Sequence, residues 1–108
     1  LTTLKGAPKI INGYFFCNKN NLISLEGAPQ IVKLNFDCSN NQLVTLIGAP
    51  RIVKGCFDCC NNQLETLTGA PEEIGFWFRC CCEKKKFSEN EVRQIIKKVQ
   101  RVILLHKT

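Results

Sequence analysis

The chain has 108 residues, a length for one domain, and 44% of them are hydrophobic. Its longest aliphatic run, Val102 to Leu105, is far shorter than the roughly 20 apolar residues of a membrane-spanning helix, so no membrane role is expected. The net charge of +6 is uneven: residues 1–82 carry seven basic and six acidic side chains, residues 83–108 eight and three.

From Leu1 the chain reads LTTLKGAPKIINGYFFCNKNN, from Leu22 LISLEGAPQIVKLNFDCSNNQ and from Leu43 LVTLIGAPRIVKGCFDCCNNQ. A fourth, eroding copy, LETLTGAPEEIGFWFRCCCEK, starts at Leu64. Self-similarity at an unbroken 21-residue period is the mark of a solenoid, which buries its apolar face only between neighbouring coils. Residues 1–82 are therefore read as the solenoid and 83–108 as a basic C-terminal cap. The first coil has no comparable cap, so an upstream segment or a partner is expected against it.

Within a copy, Leu34 to Cys38 alternates apolar and polar residues, the period of a half-buried strand. Phe36 and Cys38 should point inward, as should Phe15/Cys17, Phe57/Cys59 and Phe78/Cys80. Asn35, Asp37 and Ser39 should point out. Stacked about 4.8 Å apart, such strands form one parallel sheet of about four to five members. The Asn column (Asn20, Asn41, Asn62) is expected to satisfy turn backbone groups within its own coil and the next. Gly-Ala-Pro at 6–8, 27–29, 48–50 and 69–71 turns the chain sharply and blocks a ladder, so the convex side should be extended and not helical. Ile10/Ile11, Ile31/Val32 and Ile52/Val53 then return it to the core.

The pattern F-x-C-x-x-N-x-L-x-x-L resembles the strand-and-turn core of leucine-rich repeats. With L-x-x-L-x-G-A-P it resembles short repeats of bacterial and phage proteins, and related short repeats occur in secreted bacterial effectors. The resemblance implies a β-rich solenoid that serves as a protein-binding scaffold.

Glu83 and Lys85 replace the Asn and Leu that a further coil would need, so the solenoid ends here. Phe87-Ser88-Glu89-Asn90-Glu91-Val92 pairs a capping box (Ser88, Glu91) with a hydrophobic staple (Phe87, Val92). A helix is expected from about Glu89 to Lys98, with Val92, Ile95, Ile96 and Val99 on one stripe. Val102 to Leu105 has strand character. The segment K-K-F-S-E-N-E-V-R resembles an ending of phage repeats, K-K-F-T-E-E-D-V-R, which implies a short helix and a last strand. That strand is expected from Arg101 to Leu105.

No enzyme motif occurs. The lone His106 sits three residues from the end, and Asp37 and Asp58, one repeat apart, have no partner group for acid–base work. Neither a catalytic residue nor a cofactor is predicted. Eight cysteines in a short chain would ordinarily suggest disulfides or zinc, but Cys17, Cys38, Cys59 and Cys80 recur every 21 residues, as small core residues do. That usage suits a reducing, intracellular compartment. Cys60, Cys81 and Cys82 cluster past the strands. Free thiols are the expectation there, with a disulfide or a zinc site as the competing readings.

Partners should meet the outward, concave sheet face. One column holds Tyr14, Asn35, Cys56 and Trp77, the other Phe16, Asp37, Asp58 and Arg79. Exposed aromatics beside charges are what interface hot spots are made of. A non-enzymatic protein-interaction module using Tyr14, Phe16, Asn35, Asp37, Asp58, Trp77 and Arg79 is the favoured function. The alternatives are a structural subunit of a virion or other assembly and a nucleic-acid binder using Lys84, Lys85, Lys86, Arg93, Lys97, Lys98 and Arg101.

Overall fold

The computed structural model describes residues 2–81 and 85–105. It is a β-solenoid. Each of the first three coils contributes two short strands: β1 (Ile10–Ile11) and β2 (Phe15–Phe16), β3 (Ile31–Val32) and β4 (Phe36–Asp37), β5 (Ile52–Val53) and β6 (Phe57–Asp58). The fourth contributes one long strand, β7 (Glu73–Cys81), followed by helix α1 (Glu89–Ile95) and strand β8 (Lys98–Leu105).

All pairings are parallel, and up to β7 each joins residues 21 apart, such as Phe15 with Phe36 and Phe36 with Phe57. The expected ribbon through the phenylalanines is present, but the return segments form a second one. Ile10, Ile31, Ile52 and Glu73 pair in line, and the two ribbons fuse in β7, giving the order β1-β3-β5-β7-β6-β4-β2 with β8 beside β7. The strand expected from Leu34 shortens to Phe36–Asp37, because the chain bends between the ribbons.

The core follows the repeat. Phe36, Phe57 and Phe78 are fully buried, with ring centroids 5.3 and 5.8 Å apart and planes within 9°. The cysteine column and the paired Leu columns, among them Leu22/Leu25 and Leu43/Leu46, fill the rest. Four turns of the form Leu-x-Gly-Ala close the coils, with Ala N–H donating to Leu C=O at 3.0–3.1 Å. Their glycines hold φ of +92° to +98°, the sign that the third position of a type II turn requires.

A second set of side chains replaces ladder bonds where β4 and β6 end. Asp37 Oδ1 accepts from Ser39 N–H (2.9 Å) and Ser39 Oγ–H (2.6 Å), and Asp58 Oδ1 accepts from Cys60 N–H (2.9 Å). Ser39 is therefore buried, and the outward position expected for it is corrected. With Ser39 N–H diverted, Asn41 Nδ2 donates to the Cys17 carbonyl of the preceding coil and to Cys38 of its own. Its Oδ1 accepts from Asn20 and Leu22 N–H at 3.1 Å. Asn62 repeats the arrangement on Leu43, Cys38 and Cys59. The Asn column thus reaches back one coil, where the sequence reading pointed it forward.

At the C-terminal end, Ser88 caps α1: its side chain accepts from Glu91 N–H, and Ser88 N–H donates to Glu91. Phe87, Val92 and Ile96 are buried against the last coil. The helix stops at Ile95, short of Lys98, because Ile96 is already extended and Lys98 begins β8 against Glu73. β8 is correspondingly longer than Arg101–Leu105, and Val99 belongs to it rather than to the helical stripe. Two residues of β7, Gly75 and Phe76, stand opposite Gln100 alone, a bulge between Ile74 and Trp77.

Candidate partner-binding face

The outward residues of β2, β4, β6 and the second half of β7 lie in two parallel columns, as the alternation of the strands requires. Their environments differ. Tyr14 is 56% and Phe16 64% exposed, and their rings stack at 5.4 Å and 18°. A buried phenylalanine column explains Phe15 but not Phe16. This pair forms one end of the face.

At the other end Trp77 is half-buried. With Cys56, Phe76, Gln100 and Arg101 it lines an open cleft of about 640 Å³. Trp77 and Arg101 are cross-strand partners, and Phe76 is 56% exposed. Phe76 was missed as a face residue, since strict alternation assigns it to the opposite side. The corner between the two ribbons brings it out, as it does the equivalent Leu34, which is 41% exposed. Three strand spacings, about 14 Å, separate the Tyr14 row from the Trp77 row.

Between these ends the polar residues are partly committed to the fold. Asn35 Oδ1 accepts from Cys56 N–H at 2.9 Å. Asp37 and Asp58 each use one carboxylate oxygen on the turn that follows them, as described above. Asp58 Oδ2 lies 3.8 Å from Arg79 Nη1, and the Asp58 side chain is only 19% exposed. Asp37 is held by the Ser39 hydroxyl and Asp58 by Arg79, so both carboxylates are tied into the fold as well as facing outward.

No family model, no curated protein and no solved structure matches the chain.

Among the described basic residues of 83–108, Arg93, Lys97 and Lys98 line one cavity, and several are engaged within the fold. Lys85 Nζ sits 5.3 Å over the Phe87 ring, Lys98 Nζ lies 3.6 Å from Glu73, and Arg93 binds Glu89 at 2.9 Å and the Val99 carbonyl at 2.9 Å. Arg101 stands beside Trp77, Lys86 and Lys97 are exposed, and Lys84 lies outside the described residues.

None of the seven described cysteines is in a disulfide. Burial pushes the Cys17 thiol up to about 12, with the Asp37 charge adding to it, and pushes Cys38 well above its ordinary value. Cys60 is raised too, by burial first and then by the neighbouring Asp58 charge and hydrogen bond. Such thiols stay protonated, which disfavours them as nucleophiles or metal ligands. Among the described residues no group of His, Cys, Asp and Glu could hold a metal ion. Cys82 and His106 lie outside the described residues. No helix among the described residues is long and apolar enough to cross a membrane.

Proposed function

We propose that this chain is a non-enzymatic protein-interaction module that binds a partner on the outward sheet face. The observation that carries the reading is the stacked, exposed Tyr14–Phe16 pair, set about 14 Å from the Trp77 cleft. Aromatic anchors supply contact area at little entropic cost, and a rigid sheet pre-organises them. The partner that fits is an extended segment with two apolar anchors, crossing the carboxylates of Asp37 and Asp58 with a basic or amide side chain. Asn35 and Arg79 complete the floor. The likeness of the repeat to bacterial and phage leucine-rich repeats supports the same class. The buried thiols suit a reducing compartment.

The test is capture of a partner from the native source by wild type and by Phe16→Ser and Trp77→Ala variants, each checked for unchanged unfolding. Loss of capture by at least tenfold supports this face; undiminished capture by both folded variants rejects it. A role as a subunit of a larger assembly is the second reading, favoured by the half-exposed apolar residues Val102, Ile103 and Leu104 at the open end of the sheet. Nucleic-acid binding through the basic cap has less support, since Arg93 and Lys98 are engaged within the fold.

A further inference from the structure

Strand β8 is an edge, and only half of it is protected. In the ladder before it, Cys59 N–H donates to the Arg79 carbonyl, so Arg79 faces β6. Its neighbours Phe78 and Cys80 must then face β8, where a parallel ladder bonds the residues flanking their partners Val102 and Leu104. The N–H and C=O groups of Val102 and Leu104 therefore point away from the sheet. The same reasoning points Val99 outward, but there Arg93 reaches across from α1 and occupies the Val99 carbonyl at 2.9 Å and that of Gln100 at 3.5 Å. Nothing among the described residues pairs with the edge from Val102 to Leu105.

This open half carries none of the usual protection. It contains no Pro, Gly or charge, whereas natural edges are commonly blunted by such residues. Val102, Ile103 and Leu104 are half-buried and Leu105 is 42% exposed, so the last apolar layer of the solenoid is only partly covered.

We propose that the occupant of this edge is a second copy of the chain, its β8 antiparallel to the first about a two-fold axis at Ile103. The backbone makes this self-complementary. Val102 of one copy stands opposite Leu104 of the other, each pair exchanges two N–H···O=C bonds, and the two-fold repeats them on the other side of the Ile103–Ile103 contact. Inward Val102 packs on the partner's Leu104, extending the core layer across the interface. An outward two-fold axis keeps both partner-binding faces on one side of a continuous sheet. Arg101 falls opposite the partner's Leu105 rather than its own counterpart, so the pairing avoids direct charge opposition. A closed two-fold consumes both β8 edges, so no third copy can add at that end.

Sedimentation equilibrium of the 108-residue chain over a range of concentrations tests this, with Ile103→Lys and Ile103→Thr variants whose fold is checked by circular dichroism. Wild type and Ile103→Thr should reach twice the 12.2 kDa chain mass, and Ile103→Lys should weaken association at least tenfold. Because each copy carries +6, added salt should strengthen the dimer. An Ile103→Cys variant should cross-link through position 103 under mild oxidation by a small-molecule disulfide, two thiols passing their electrons to the oxidant. A monomer at all concentrations, growth beyond dimer, or an undiminished dimer in folded Ile103→Lys overturns the proposal. Because Ile103→Lys leaves Phe16 and Trp77 untouched, capture of a partner by that variant is read separately.

Discussion

Asn41 Nδ2 donates to the carbonyl of Cys17, one coil behind it, at 3.0 Å. That carbonyl is open because Asp37 has taken the amide of Ser39, which would otherwise continue the ladder. One side chain ends the strand and the other repairs the ending. The carboxylate and the carboxamide are thus a coupled pair, and both recur 21 residues later as Asp58 and Asn62.

Replacing Asn41 with Ala should therefore be severe. It removes the acceptor of the Asn20 and Leu22 amides, at about 1–3 kcal/mol for each buried group, while the Cys17 carbonyl keeps Asn20 Nδ2 at 3.1 Å. We expect a loss of at least about 2 kcal/mol in urea unfolding. A cost under about 1 kcal/mol would mean that water replaces the amide.

The turn glycines should not be equivalent. A Cβ at Gly48 would stand 2.6 Å from the Glu26 nitrogen, in a backbone at φ +98°, whereas Gly6, at φ +92°, has nothing within 4 Å. Gly6→Ala should cost only the left-handed penalty, about 1–2 kcal/mol. Gly48→Ala adds a clash with backbone and should cost clearly more. Thermal unfolding of the two variants compares them directly.

Lys19 offers a gain. Its φ is +56°, and the equivalent positions in the next two coils are Asn40 and Asn61 at +57°. Asn tolerates this region because its short polar side chain bonds locally. Lys19→Asn should raise stability by about 0.5–1 kcal/mol, read as a higher denaturation midpoint; a lower midpoint would contradict the account.

The buried thiols set a sign for the pH dependence. Below pH 9 the Cys17 thiol is protonated folded or unfolded, and its contribution is level. Above pH 9 the unfolded thiol ionises from its ordinary 9.0, while the folded one keeps its proton up to about 12. The unfolded state then binds fewer protons, so stability falls as pH rises through that window. The slope is at most about 1.4 kcal/mol per pH unit per buried thiol. Cys38→Ala should flatten the fall between pH 9 and 10 even though it costs stability at pH 7; an unchanged slope would place the titration elsewhere.

Much of this was legible from the repeat. Phe36, Cys38 and Leu43 recur at one spacing, so their burial followed from periodicity alone, as did the parallel register. The capping box at Ser88 and Glu91 was equally local: two side chains three residues apart, each within reach of the other's backbone. Tyr14 and Phe16 were exposed as expected, because an outward position in a first coil has little to cover it. The second ribbon through Ile31 and Ile52 was not read as strand, since two-residue strands leave no alternation to detect. Nor was the Asp37 turn: a single Asp two residues before a small polar residue looks the same whether it faces a ligand or its own backbone.

What the sequence by itself determined is the coil: a 21-residue unit whose apolar spacing, turn glycines and side-chain amides can be satisfied in one way, by stacking on its own copies. What only the tertiary structure decided lies at the end of the stack. There β8 pairs along the whole of β7, ends α1 three residues before Lys98, forces a bulge at Gly75 and Phe76, and sets Arg101 beside Trp77. The physical reason is range. Periodicity records contacts that repeat with the chain, whereas the partners of β8 are met once, across a helix, with no second copy to reveal them.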